Sequence, residues 1–221
     1  MRTVMIATPA YEGTVDVRYT DALLGTIRQA PQGVQVVPVF LPGDALVQRA
    51  RNSLCKIALD ALEGRGVDDV VFIDADVYWA PAGFWRLLGH DLDVVGGVVR
   101  QARDPQVLAF RPKVKCAPTE DGLLEVAAVG AAFLRVTRQA LRMLWRSSRE
   151  YADGPARVRS IFEVTVERGE LCSEDVAVCH KWTQRGGKVW VDLKVACGHV
   201  GRKAFELEAP QAEALPVPGK N

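Results

Sequence analysis

A regular alternation of short apolar runs and amphipathic segments constrains this chain most. Residues 4–8 and 34–41 are apolar runs bounded by proline or glycine, and residues 70–73 (Val-Val-Phe-Ile) form a continuous apolar run. Such runs are typical of strands that are covered on both faces. Between them, residues 19–28 and 44–62 carry apolar side chains at helical spacing. The alternation predicts an α/β fold, a Rossmann-like domain with a mainly parallel central sheet and helices on both faces.

The rest of the chain continues the alternation. Asp44, Thr137 and Ser173 are suitable N-caps for helices that run to about residues 62, 149 and 184. Residues 151–169 show no clear period and are predicted to form a loop. The remaining segments predict a helix that begins at Pro81 and ends near residue 88, and strands at residues 93–99, 123–129, 132–136 and 188–193.

Composition limits the class of protein. Lys and Arg number 28 against 27 Asp and Glu, and this balance argues against a polybasic nucleic-acid binder. Five cysteines without a CxxC pair predict a reducing, cytoplasmic setting, and no apolar stretch predicts a signal peptide or a membrane span. We expect one domain over residues 1–207, followed by a Pro-containing disordered tail over residues 208–221.

Asp74-Ala75-Asp76 is the sharpest chemical feature, because it directly follows the apolar run at residues 70–73. Two carboxylates at this spacing suit a hard divalent cation that is shared with phosphate oxygens. The alternative is a solvated strand end, where aspartate is common. Ligands of α/β sheets bind at the carboxyl ends of the strands, so the position of the pair favours a metal site.

Arg51-Asn52 lies on the preceding predicted helix, within the segment Gln-Arg-Ala-Arg-Asn-Ser-Leu. Arginine clamps phosphate or carboxylate groups, and asparagine can hydrogen-bond to a base or a ribose. The alternative is an ordinary polar helix face.

Several motifs in a fixed order make the chain similar to a known family. Over residues 3–202 it resembles the GT-A glycosyltransferases with a DxD motif, such as short stand-alone enzymes of bacteria, phages and large viruses. It is more distantly similar to family 2 enzymes and fungal mannosyltransferases. The motifs that carry the resemblance are Thr8-Pro9-Ala10-Tyr11, Ala50-Arg51-Asn52, Asp74-Ala75-Asp76, residues 96–100 (Gly-Gly-Val-Val-Arg), residues 129–134, Ser173-Glu174-Asp175 and His199-Val200-Gly201.

The resemblance implies a nucleotide-diphosphate sugar as donor, most often a UDP-sugar, and Mn²⁺ or Mg²⁺ as cofactor. It implies that Asp74, Asp76 and His199 hold the metal. It also implies that the donor is bound by Thr8, Pro9, Tyr11, Glu12, Arg51, Asn52, Asp74, Ala75 and Arg100.

Glu174-Asp175 resembles the acidic pair of which the aspartate is the general base of an inverting transfer. A carboxylate is chemically suited to accept the proton of an acceptor hydroxyl. The alternative is a pair that caps a helix after Ser173. His199 also has an alternative, since Cys172, Cys179, His180, Cys197 and His199 could assemble a zinc site, although their spacing fits no standard zinc finger.

Arg138, Arg142 and Arg146 recur at every fourth residue and share one face of a predicted helix. This face could bind a phosphate-bearing acceptor, such as an anionic glycan or hydroxymethylated phage DNA. The alternative is a solvated helix face.

The sequence therefore predicts a metal-dependent glycosyltransferase of hexosyltransferase type, with a glycan or DNA acceptor. Two other classes stay open. A nucleotidyl- or phosphotransferase would also use paired aspartates and Mg²⁺, although the chain has no P-loop. A non-catalytic module that binds a sugar nucleotide or a nucleic acid is the other alternative.

Overall fold

The structure is a computed structural model, and it describes residues 1–62, 64–100, 108–113, 116–167 and 169–201. The predicted tail at residues 208–221 lies outside the described residues. The helices are α1 (Val17–Arg28), α2 (Val47–Asp60), α3 (Pro81–Gly89), α4 (Arg138–Ser147) and α5 (Glu174–Thr183). The strands are β1 (Arg2–Ala10), β2 (Val34–Pro42), β3 (Asp69–Ile73), β4 (Val77–Trp79), β5 (Val94–Val98), β6 (Phe110–Pro112), β7 (Leu123–Val129), β8 (Phe133–Thr137), β9 (Glu150–Asp153), β10 (Ala156–Arg159), β11 (Thr165–Glu167), β12 (Glu170–Cys172) and β13 (Val189–His199).

One large sheet organises the fold. Its strand order is β2-β1-β3-β8-β5-β13-β7-β6, and β4 pairs with the end of β13. Strands β2, β1, β3, β5 and β13 run in the same direction, while β8 and β7 run antiparallel to their neighbours. The sequence-based prediction of a mainly parallel α/β sheet is confirmed.

Both faces of the sheet are covered, as the continuous apolar runs predict. In β3, Val70 and Phe72 pack with α2, α4 and α5, whereas Val71 and Ile73 pack with α1 and α3. The alternation follows from the two-residue period of a strand. Helices on both faces are therefore confirmed.

The start of the second helix differs from the sequence-based prediction. The second helix begins at Val47 rather than after Asp44, and its N-cap residue Leu46 provides no side-chain hydrogen bond. Asp44 instead accepts a hydrogen bond from the Leu46 amide at 2.9 Å and pairs with Arg49. Thr137 does cap α4, because its hydroxyl accepts from the amide of Ala140.

The prediction of a loop over residues 151–169 is wrong. This part of the chain forms the hairpin β9–β10 and the first strand of the hairpin β11–β12. Ile161 and Phe162 between the hairpins are fully buried in the core. Short strands without a long alternating pattern leave little periodic signal in a sequence, so periodicity does not reveal these hairpins.

Among the described residues, none of the helices has the length and apolar character that a membrane span would require.

Candidate functional site

A cleft of about 830 Å³ opens at the carboxyl ends of β1, β2 and β3. Parallel pairing brings these three ends together, since Ala10 lies opposite Pro42 and Ala7 opposite Phe72. The loops that follow are joined by backbone hydrogen bonds, such as that from the Asp16 amide to the Ala75 carbonyl at 2.9 Å. The walls include the predicted residues Pro9, Tyr11, Glu12, Asp74, Ala75 and Asp76, and also residues 14–17, Asp44, Ala45, Val47, Val200 and Gly201.

Asp76 and His199 form a pair at the rim of this cleft. The His199 Nε2 atom lies 3.1 Å from the Asp76 Oδ2 atom, and the Asp76 side chain is 52% exposed. The Nδ1 atom of His199 lies 2.9 Å from the backbone carbonyl of Arg100, which fixes the orientation of the ring. The end of β13 returns to the cleft because β4 pairs with it, placing His199 opposite Val77.

The His199 imidazole has a perturbed pKa. Partial burial lowers this pKa, but the Arg100 carbonyl and the negative charge of Asp76 outweigh burial and raise it overall. The carboxylates of Asp74 and Asp76 suit Mn²⁺ or Mg²⁺, and His199 adds an imidazole nitrogen that can bind a transition metal once it is neutral. The residues present therefore fit the cation that the resemblance implies.

Arg51 joins the two acidic motifs. Its Nη2 atom donates to Asp74 Oδ1 at 2.7 Å, and its Nη1 atom donates to Glu174 Oε1 at 2.6 Å. The arginine side chain is only 3% exposed, and it lies 5.8 Å from the centre of the Phe162 ring. A buried guanidinium thus holds a carboxylate of the strand β3 end and a carboxylate of α5 in one arrangement.

The protonation state of Arg51 follows from this pairing. Burial lowers the pKa of the guanidinium, while the negative charges of Asp74, Glu174 and Asp175 raise it more strongly, so the net direction is upward. The Nε atom of Arg51 is buried and has no hydrogen-bond partner among the described residues. The guanidinium cation of Arg51 is therefore stabilised by the carboxylates around it and not by a complete set of hydrogen bonds.

Asp175 lies in the first turn of α5, beside Glu174. Its Oδ1 atom accepts hydrogen bonds from the Val176 amide at 2.8 Å and from the Ser173 hydroxyl. Its Oδ2 atom lies 3.6 Å from the position that a Cβ on Gly130 would occupy. The predicted cap at Ser173 is different in detail, because the serine hydroxyl bonds to Asp175 and provides no bond to a helix amide.

Besides Arg51, two further predicted donor-binding residues lie in the core rather than on the cleft wall. Thr8 is fully buried, and its hydroxyl lies 2.5 Å from the hydroxyl of Tyr19, whose pKa burial raises to about 12. Asn52 is 3% exposed and exchanges two hydrogen bonds of 2.8 Å with the backbone of Phe162. Their placement gives each residue a structural partner behind the cleft.

The first two residues of the predicted arginine face, Arg138 and Arg142, lie away from the cleft. Arg138 donates to the Val67 carbonyl at 2.8 Å and pairs with Asp68, and Arg142 donates to the Arg65 carbonyl at 2.5 Å. Asp68 precedes β3, whereas Asp74 follows it, so these contacts are at the opposite end of the strand from the acidic motif. The placement gives no support to an acceptor role for Arg138 and Arg142, and Arg146 remains exposed.

The five-residue zinc alternative is wrong as a set. The Cys179 thiol contacts the Val129 carbonyl, and Cys197 lies in β13 opposite Trp79. His199 pairs with Asp76 of the cleft wall. Of that set, Cys172 and His180 have ligand atoms within 4.8 Å of each other, next to Glu167.

The sequence did not reveal two residues that shape the site. Tyr19 supports Thr8 beneath the cleft, and Phe162 packs against Arg51 and binds Asn52. Tyr19 could have been found from its place on the apolar face of α1. Phe162 gave no usable signal, because its contacts with α2 span 110 residues of sequence.

Comparison with known proteins places the fold. No protein-family model matches the chain, and no curated protein matches its sequence. Among solved structures, A197 from STIV matches with a TM-score of 0.56 and 20% identity, over 90% of this chain and 86% of that chain. GalNAc-T7, solved with UDP, GalNAc and Mn²⁺, matches with a TM-score of 0.56 and 10% identity, over 91% of this chain. This chain spans 44% of the GalNAc-T7 chain.

These structural similarities show the type of fold that contains the cleft. The described strands and helices form an α/β domain like that of the GT-A glycosyltransferases, with Asp74–Asp76 at the carboxyl end of a central strand.

Proposed function

We propose that this protein is a metal-dependent glycosyltransferase that takes its sugar from a nucleotide-diphosphate donor. The observation that carries the proposal is the cleft at the ends of β1, β2 and β3, whose wall residue Asp76 lies 3.1 Å from His199. Ligands of open α/β sheets bind at this edge. A volume of about 830 Å³ is within the range of small-molecule sites, and the charged rim suits a diphosphate bound through a cation.

In this proposal Asp76 and His199 hold the cation, with Asp74 as a further carboxylate. The cation, when bound, would offset the negative charge of the diphosphate leaving group. Asp74 already shares one oxygen with Arg51, so its position is fixed before the donor arrives. Pro9, Tyr11 and Glu12 form the wall for the base and ribose, and Tyr11 is 62% exposed and free to contact an aromatic base.

Asp175 is our candidate for the general base. Glu174 is ion-paired with Arg51 at 2.6 Å, whereas Asp175 acts on Arg51 only through its charge, and its Oδ2 atom lies 3.6 Å from the position of a Cβ on Gly130. In an inverting transfer the acceptor oxygen forms a bond to the anomeric carbon and the bond to the diphosphate breaks. The acceptor proton would pass to the Asp175 carboxylate.

The donor and metal of a structural neighbour support this proposal. GalNAc-T7 was solved with UDP, GalNAc and Mn²⁺, and it shares the fold over 91% of this chain. We therefore propose a UDP-sugar as donor and Mn²⁺ or Mg²⁺ as cofactor, with a glycan hydroxyl as acceptor.

Donor turnover tests the proposal. Purified protein is incubated with a panel of UDP- and GDP-sugars and Mn²⁺, and release of the nucleotide diphosphate is measured. We expect hydrolysis of at least one donor, lost in Asp76→Ala and reduced roughly 100-fold or more in Asp175→Asn. Asp60→Asn is the matched control, because this exposed carboxylate on α2 is outside the cleft.

The products separate the competing functions. Release of inorganic phosphate or pyrophosphate would indicate a phospho- or nucleotidyltransferase instead. Metal-dependent donor binding with no turnover, and with no change in Asp175→Asn, would indicate a binding module.

A further inference from the structure

The hairpin β11–β12 brings a second group of metal-ligating side chains together, outside the cleft. In the antiparallel pairing, Thr165 lies opposite Cys172, and Glu167 lies opposite Glu170. Side chains two residues apart share one face of a strand, so Glu167 and Cys172 are on the same face of the hairpin. His180 of α5 completes the group.

The three side chains are close enough to share one ion. The candidate ligand atoms of Glu167, Cys172 and His180 all lie within 4.8 Å of one another. The Glu167 Oε2 atom lies 3.2 Å from the His180 Nδ1 atom. Cys172 is 5% exposed, whereas His180 and Glu167 have partly exposed side chains, so an ion could enter from solvent.

The types of ligand select the metal. A thiolate is a soft ligand that Mg²⁺ and Ca²⁺ do not use, while zinc binds cysteine, histidine and glutamate in tetrahedral sites. Zn–S bonds of about 2.3 Å and Zn–N or Zn–O bonds of about 2.0 Å imply ligand atoms roughly 3.5 Å apart. The Glu167–His180 distance of 3.2 Å already matches this spacing, and the other ligand atoms of the group lie within 4.8 Å.

We propose that Glu167, Cys172 and His180 form a zinc site that fastens the hairpin β11–β12 to α5, with water at the fourth position. The site is independent of the Asp76–His199 pair, and its occupant differs in kind from the cation of the cleft. It does not rest on the proposed transferase activity.

The hairpin β11–β12 has little stability of its own, so a bound ion would stabilise it. It is a two-stranded sheet of three-residue strands, and isolated pairs of this kind are marginally stable in water. Its outer face exposes Val166 and Leu171 by 71% and 72%, so little apolar burial holds it. Among the described residues, the buried hydroxyl of Thr165, opposite Cys172, has no hydrogen-bond partner, and a zinc-bound water could supply one.

The position of the site links it to the acidic pair. Cys172 directly precedes Ser173, Glu174 and Asp175. Zinc at Cys172 and His180 would therefore hold both the start and the later turns of α5. The expected effect of the ion is a stiffer α5 and a higher melting temperature.

Cobalt substitution of the full chain tests the proposal. The protein is stripped of metal under reducing conditions and titrated with Co²⁺, a spectroscopic substitute for zinc. We expect that one Co²⁺ per chain gives a thiolate-to-cobalt charge-transfer band and tetrahedral visible bands, and that one equivalent of Zn²⁺ displaces it. A second Co²⁺ bound in the cleft has no thiolate ligand and would not give this band. Cys172→Ser should abolish the charge-transfer band. His180→Gln should weaken binding by more than the roughly 10- to 100-fold that loss of a residue behind a metal ligand costs.

Two controls make the outcome decisive. Cys116→Ser removes an exposed thiol elsewhere, and Asp76→Ala removes the cation site of the cleft, so both variants should keep the charge-transfer band. The proposal is overturned if the wild type shows no such band, or if Cys172→Ser or His180→Gln keeps it unchanged. His180 is on the surface, so its variant should fold even if the cysteine variant does not.

Discussion

Replacement of Arg51 by methionine should destabilise the protein more than any other single change of a charged residue on α2. The guanidinium is 3% exposed and pairs with Asp74 and Glu174, which are 29% and 15% exposed. Methionine fills similar space but leaves both carboxylates without their cation. The free energy of unfolding therefore falls because two buried carboxylates lose their counter-charge, and not because a cavity forms.

The size of the effect follows from that exposure. Removal of one partner of a buried ion pair costs roughly 3–5 kcal/mol. Because Asp74 is nearly one-third exposed, water compensates part of its charge, and we expect a loss of about 3 kcal/mol. For a chain of this length, about 3 °C of melting temperature per kcal/mol gives a decrease of roughly 9 °C.

Urea unfolding followed by tryptophan fluorescence measures this free energy, since Trp79 and Trp182 are buried in the core. Lys56→Met is the matched control. It lies on the same helix and pairs with Asp60, which is 63% exposed, so its loss should be below about 0.5 kcal/mol.

A double-mutant cycle checks the physical reason. Glu174→Gln alone should cost about 1 kcal/mol, because the amide oxygen still accepts from Arg51. Combined with Arg51→Met, the two losses should be less than additive by about 1 kcal/mol, since the second carboxylate is no longer buried and unpaired. An Arg51→Met loss below 1 kcal/mol, or strict additivity, would refute the claim that the guanidinium joins the two acidic motifs.

Three further predictions concern the surroundings of the site. Asn52→Ala should lower the free energy of unfolding by about 2 kcal/mol, because it leaves a buried amide and carbonyl of the backbone unpaired. Gly130→Ala should cost about 1–2 kcal/mol and lower donor turnover, because the added methyl lies 3.1 Å from its nearest neighbours beside the proposed base. Iodoacetamide at pH 8 should modify Cys116 first in mass spectra, because burial raises the pKa of Cys179 and Cys197 to about 12.

Each of these has its own control. Gly89→Ala adds the same methyl where nothing lies within 4 Å, and it should leave the free energy of unfolding nearly unchanged. An equal effect of both glycine substitutions would contradict the packing argument. Denatured protein should lose the difference in alkylation between cysteines. A stability loss below about 0.5 kcal/mol for Asn52→Ala would show that its backbone hydrogen bonds are dispensable.

The central strands could be predicted from sequence because their signal is local. Residues 70–73 are a continuous apolar run, and the observed β3 extends it by one residue only. The position of the cleft could be predicted in the same way, since the carboxyl ends of neighbouring parallel strands must meet at one edge. The positions of Asp74 and Asp76 follow from the strand that precedes them, without information on distant contacts.

The support of the site could not be predicted, because it depends on contacts between distant parts of the chain. The ion pair of Arg51 with Glu174 spans 123 residues, and the hydrogen bonds of Asn52 with Phe162 span 110. In both cases the sequence predicts a donor ligand, because arginine and asparagine often bind phosphate and sugar. The fold instead buries each side chain, so the same polar groups serve the protein's own structure.

The hairpins show a different limit. Three- and four-residue strands do not establish a period, and residues 151–169 therefore look irregular as a sequence. Their order comes from pairing and from the burial of Ile161 and Phe162 beneath them.

Metal-dependent binding of UDP is the most direct test of the central claim. The melting temperature of the full chain is measured with UDP alone, Mn²⁺ alone and both together, for the wild type and Asp76→Asn. A nucleotide at 100 times its dissociation constant stabilises by about 2.7 kcal/mol, a shift of roughly 8 °C for this chain. We predict this shift for the wild type only with both ligands present, and its loss in Asp76→Asn. An equal shift without Mn²⁺, or in the variant, or no shift with any nucleotide diphosphate, would contradict the account.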